Sequence, residues 1–108
     1  MGITRKGNPT WRVHPGEILR EEFLKPLDMS VYGLAKRLHV PAPRINDIVL
    51  QRRGISADTA ARLARFFGTT EQFWLELQNA YDVRGVLGKR RAELARITPL
   101  RSTAATAG

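Results

Sequence analysis

The chain reads as an all-α protein. Three observations say so. Apolar residues recur at helical spacing through most of it, serine and threonine stand just ahead of several of those runs, and no stretch alternates apolar and polar residues as a half-buried strand would. No segment repeats. Residues 1 to 13 hold Gly2, Gly7, Asn8 and Pro9 among Arg5, Lys6 and Arg12, show no period, and read as a flexible basic arm. His14-Pro15-Gly16-Glu17 then opens a first helix, with proline in its first turn and Glu17, Glu21 and Glu22 near the positive end of its dipole. Ile18, Leu19, Phe23 and Leu24 supply its buried face, and Pro26 ends it.

Ser30 is a good N-cap for a second helix, in which Val31, Leu34, Ala35 and Leu38 share one face. Val40, Ile45, Ile48 and Val49 form another apolar stripe in a new phase, so the chain must turn near His39 and restart at Pro41 and Pro43. Proline suits a first helical turn, where its missing N–H would have had no partner. Ala35 is small enough to let the two helices pack closely. Gly54 breaks the chain, Ser56 caps a fourth helix that turns Ala60, Leu63, Ala64 and Phe67 inward, and Gly68 ends it. Thr69 with Gln72 fits a capping box for a fifth helix, through Phe73, Trp74, Leu77 and Tyr81 to about Val83. Phe73 and Leu77 share a face, so Trp74 is expected to be the more exposed of the aromatic pair.

Five short helices thus make one compact domain from about 14 to 84, and residues 85 to 108 form a C-terminal extension. The extension has the run Lys89-Arg90-Arg91, a short helix expected around Ala92 to Ile97, and a stop at Pro99; residues 102 to 108 are expected to be disordered. Val86, Leu87, Leu94 and Ile97 are too many apolar residues for a purely solvated tail. A subunit contact and packing back onto the domain account for them equally well.

Residues 30 to 50 have the geometry of a helix-turn-helix, in which the second helix presents its N-terminal half to base edges in a DNA major groove. The outward positions of that half are Ala42, Pro43, Arg44, Asn46 and Asp47. Arginine can bond guanine bidentately and asparagine adenine, while alanine or proline offers only an apolar contact to a thymine methyl, so Arg44 and Asn46 are the expected readers. Periodicity alone would equally suit an ordinary helical hairpin with a solvated polar face. Charge favours the first reading: residues 30 to 53 carry Lys36, Arg37, Arg44, Arg52 and Arg53 against the single acid Asp47. Gln51, Arg52 and Arg53 stand just beyond the second helix, where phosphates would be met, contacts that position a protein without reading sequence.

At 108 residues and 43% hydrophobic the chain can bury one modest core, and its net charge of +8 favours an anionic partner. The absence of cysteine excludes disulfides and Cys-based zinc sites. No apolar run approaches the roughly 20 residues that span a bilayer, and the N-terminus has no signal-peptide core, so a cytoplasmic protein without membrane contact is expected. An enzyme is not expected. The two histidines, His14 and His39, fall at helix boundaries, Glu21 and Glu22 point to different faces, and neither metal-ligand spacing nor a phosphate-cradling glycine loop occurs; no cofactor is implied.

An ordered set of motifs resembles a known family. HPGEIL at 14 to 19, LAKRLHV at 34 to 40, RINDIV at 44 to 49, RRGISADTAARLARFFGTT at 52 to 70, EQFWLELQ at 71 to 78 and YDVR at 81 to 84 together look like the HigA antitoxins, within the lambda-repressor-like, XRE-type helix-turn-helix proteins. The resemblance implies a five-helix domain, usually a homodimer, that binds and represses the operator of its own operon, with Arg44 and Asn46 in the major groove and Lys36, Gln51, Arg52 and Arg53 as phosphate contacts. It also implies a HigB-type toxin partner, an mRNA-cleaving ribonuclease held inactive in the complex. Glycine commonly stands in that class where His39 does, so either His39 takes an unusual backbone conformation or the turn differs slightly. The second reading is a stand-alone XRE-type transcriptional regulator with no toxin, distinguished by whether the neighbouring gene encodes a small ribonuclease-like protein.

Overall fold

The computed structural model describes residues 12–100; most of the expected arm, and residues 102 to 108 of the expected tail, lie outside them. Among the described residues the secondary structure is helical throughout. His14 opens α1, Pro15–Ile18, by accepting the Gly16 N–H on its Nδ1 at 2.8 Å, and Pro15 fills the first turn as expected. The helix continues without a break into a wider, π-helical stretch, Leu19–Leu24, which closes with Lys25 N–H donating to the Arg20 carbonyl.

The two helices of the expected motif are α2, Val31–Leu38, and α3, Ala42–Val49. Ser30 caps α2 by accepting the Gly33 N–H. His39 ends it in the left-handed region at φ 60°, ψ 46°, so the turn keeps its geometry and histidine carries the strain that glycine would avoid. The apolar stripes of both helices meet: Leu34, Ala35, Leu38, Ile45, Ile48 and Val49 are all buried. Ser56 caps α4, Ala57–Phe67, which ends at Gly68 with φ 77°.

The fifth helix departs from expectation, while the short helix expected around Ala92 to Ile97 is present close to that place. Thr70, not Thr69, caps α5 by accepting the Phe73 N–H; Thr69 instead accepts the indole Nε1–H of Trp74 at 2.7 Å. With its polar edge thereby satisfied, Trp74 is fully buried, and Phe73 is the more exposed of the pair, the reverse of the expected order. The order is reversed because Phe23 reaches across from the first helix to sit 5.0 Å from the Trp74 ring and 4.7 Å from that of Phe67, centroid to centroid. Helix α5 also runs on past Val83, spanning Glu71–Lys89, and is followed by a short α6, Arg91–Ala95. At the other end, Arg12 is fastened to α5: its guanidinium lies 3.8 Å from the Tyr81 ring centroid and its Nε–H donates to the Tyr81 carbonyl.

Candidate nucleic-acid interface

One face of α3 is left open to solvent by the way its apolar stripe is used. With Ile45, Ile48 and Val49 turned into the core, Pro43, Asn46 and Leu50 stand exposed and Ala42, Arg44 and Asp47 are half-buried at the margins. The helix is held in this attitude from three sides. Helix α2 packs along it, and Gly16 of α1 lies so close to the Ile48 carbonyl that a methyl group at Gly16 would collide with it. From α5, Gln78 Oε1 accepts the Ile55 N–H at 2.6 Å and secures the loop that leaves α3.

Of the two expected base readers, Asn46 is exposed on the open face, but Arg44 emerges at its flank. The Arg44 Nη1 donates to Asp58 Oδ2 at 2.6 Å, across to the N-terminus of α4. The same Asp58 oxygen accepts Arg62 Nε–H at 2.9 Å, and Arg62 Nη1 donates onward to the Leu38 carbonyl, the last of α2. A chain of charge-assisted bonds therefore links α2, α3 and α4. The hydrogen bonds from Arg62 and then Arg44 hold the Asp58 carboxyl below the usual carboxylate range. Neither Asp58 nor Arg62 was legible as part of the site, because their partners are distant in sequence and polar residues on α4 look merely solvated.

The flanking cations divide into two groups. Lys36 lies exposed on α2, beside the groove that Tyr32, Ala35, Val40 and Ala42 line between α2 and α3. Tyr32 is 77% exposed and sits one turn before Lys36, an aromatic donor within the same face that the apolar pattern did not single out. Arg52 and Arg53 follow α3 and fold back onto it: their Nη2 atoms lie 3.0 Å and 3.6 Å from Oδ1 and Oδ2 of Asp47. Gln51 makes this reversal possible by adopting φ 65°. Asp47 is thus occupied by two arginines in the free protein.

An open helix face with an amide at its centre, rimmed by cations and set by a tight left-handed turn, defines a helix-turn-helix protein that binds DNA. Residues 21–74 match the helix-turn-helix family. The chain belongs to that family and, within it, to the XRE-type HigA proteins. The family consists of DNA-binding regulators and antitoxins, not enzymes. Virulence-associated protein I of Dichelobacter nodosus is 55% identical over 84 residues, which is 78% of each chain. The antitoxin HigA of Pseudomonas aeruginosa, solved with the higBA promoter, superposes with a TM-score of 0.80 at 48% identity over 82% of this chain and 98% of that one. The antitoxin GraA in complex with its operator gives a TM-score of 0.80 at 40% identity, over 92% of this chain and 99% of that one. No helix among the described residues is long and apolar enough to cross a membrane.

Proposed function

We propose that this protein is a sequence-specific antitoxin that represses its own operon and neutralises a HigB-type, mRNA-cleaving toxin. The observation that carries the DNA half is the open face of α3, seated on a scaffold that matches HigA and GraA structures bound to promoter and operator DNA. Asn46 reads adenine from that face. Arg44 reads guanine after exchanging Asp58 for the base, and Asp58 keeps Arg62 as its partner, so the exchange leaves no unpaired carboxylate. Ala42, Pro43 and Asp47 shape the rest of the reading surface, and Lys36, Gln51, Arg52 and Arg53 meet phosphates.

The protein works as a homodimer. One such module covers few base pairs, whereas a two-fold pair reads two half-sites about 34 Å apart. A second copy fits the distal part of α5 and the segment after it, where Val83, Val86, Leu87 and Ile97 are each at least half exposed. The toxin half rests on family membership, and the net charge of +8 means that a basic ribonuclease would have to be met by a locally acidic or apolar patch.

A band-shift titration with the chain's own upstream DNA, followed by addition of the adjacent gene product, tests both halves. The expected result is a discrete complex that survives excess random DNA, together with loss of the adjacent product's ribonuclease activity on mixing. A discrete complex with an adjacent product that has no such activity would make the protein a stand-alone regulator, and the absence of any discrete complex would remove the reading altogether.

A further inference from the structure

We propose that Asp47 sets the discrimination between operator and random DNA, by holding Arg52 and Arg53 away from phosphates until α3 has found its sequence. The inference rests on the DNA-binding reading of α3. Asp47 is the only acid between residues 30 and 53, and it stands on the groove-facing helix itself, where a carboxylate is repelled by phosphates. Its two oxygens are divided between the two arginines, Oδ1 with Arg52 at 3.0 Å and Oδ2 with Arg53 at 3.6 Å. The backbone is built for this clasp: the Arg52 N–H donates to the Asp47 carbonyl at 2.7 Å, and Gln51 takes the left-handed conformation that turns the chain back.

The consequence follows from competition. Asp47 offsets much of the charge that Arg52 and Arg53 would offer to random DNA, and moving either arginine fully onto a phosphate leaves a carboxylate less well paired near the backbone of the duplex. In the right groove a base amino group can take their place, because cytosine N4 presents a donor there and an aspartate accepts from it. The carboxylate is then satisfied by the base and both guanidinium groups pass to phosphates. With both guanidinium groups largely open to solvent, these ion pairs are weak enough to open readily, so the clasp filters without blocking. Specificity is gained here by penalising the wrong partner rather than by adding contacts to the right one.

The test compares wild type with Asp47→Asn on operator and random duplexes across a salt series, with thermal melting as the control for folding. Asp47→Asn is expected to tighten random-DNA binding several-fold and to steepen its log–log salt dependence by up to about 1.8, the value for two freed phosphate contacts at roughly 0.9 each. Operator affinity should gain less or fall, so the ratio between the two drops. In an Arg52→Ala, Arg53→Ala background the same change should no longer tighten random DNA. Unchanged random-DNA affinity and slope in a normally melting variant, or equal factors on both duplexes, would overturn the proposal. If Asp47→Asn melts early, Asp47→Ser receives the same measurements; if neither variant melts cooperatively, the carboxylate is a structural residue and the proposal falls. Wild-type operator binding separately tests the underlying reading, so the two can fail independently.

Discussion

Arg44 and His14 show how single side chains acquire their roles from neighbours distant in sequence. Arg44 lies at the margin of the open face and is held by Asp58, so its contribution to DNA binding is a difference between two charged partners. Arg44→Ala should cost roughly 1 to 3 kcal/mol on the cognate operator and relax preference at one base pair; equal losses on operator and random DNA would show that it does not read a base. His14 is 3% exposed, meets the Tyr81 ring edge-on at 4.7 Å between centroids, and accepts the Gly16 N–H, an arrangement that needs a neutral imidazole. Burial lowers its pKa from the ordinary 6.5, outweighing the Asp82 charge that pulls the other way, and Arg12 adds to the lowering. With the folded value below the unfolded one, the unfolded state binds more protons between them. The contribution of His14 is therefore present above pH 6.5 and lost as pH falls through the folded value. Melting temperature should decline as pH drops below about 6.5, and His14→Asn, which keeps an N-cap without a titrating ring, should flatten that decline.

At the scale of elements, the position of α3 is set by close backbone approach as much as by side-chain packing. Gly16 has no room for a methyl group because the obstacle is the Ile48 carbonyl, which cannot move without moving α3. Gly16→Ala should cost about 1 to 3 kcal/mol as an overpacked contact, and operator affinity should fall by more than the loss of folded protein explains. Melting by circular dichroism with binding measured well below the transition separates the two effects; binding that simply tracks the folded fraction would mean that α1 does not orient α3. The helix-turn-helix itself was legible residue by residue, from the cap at Ser30 to the turn at His39, and so was the Ser56 cap of α4. The Thr69 and Thr70 assignment was not, since two adjacent threonines offer the same hydroxyl. Which one caps the helix is decided by the other's bond to the Trp74 indole.

At the scale of the molecule, α5 carries the contacts at one end and the exposed aliphatic surface at the other. Its first half buries Trp74 and secures the α3 exit loop through Gln78, while Val83, Val86 and Leu87 face solvent beyond it. If a second copy covers this surface, Leu87→Asp should yield a monomer by sedimentation with an unchanged helical spectrum. It should also lose most of its operator affinity, because two half-sites are no longer read together. A variant that stays dimeric would place the interface elsewhere.

The sequence by itself determined the all-helical class, the two-helix unit at residues 30 to 50, most caps, and the basic character of the flanks. Each of these depends on residues within a few positions of one another, so periodicity and capping chemistry read them directly. Only the tertiary structure decided that Trp74 is buried and Phe73 partly exposed, that α5 continues to Lys89, that Arg44 is shared with Asp58, and that Asp47 holds Arg52 and Arg53. The physical reason is common to most of them. Burial and charge pairing depend on what packs opposite, as Phe23 does on Trp74 and α4 on Arg44, and a partner brought from another element leaves no local trace in the pattern of residues.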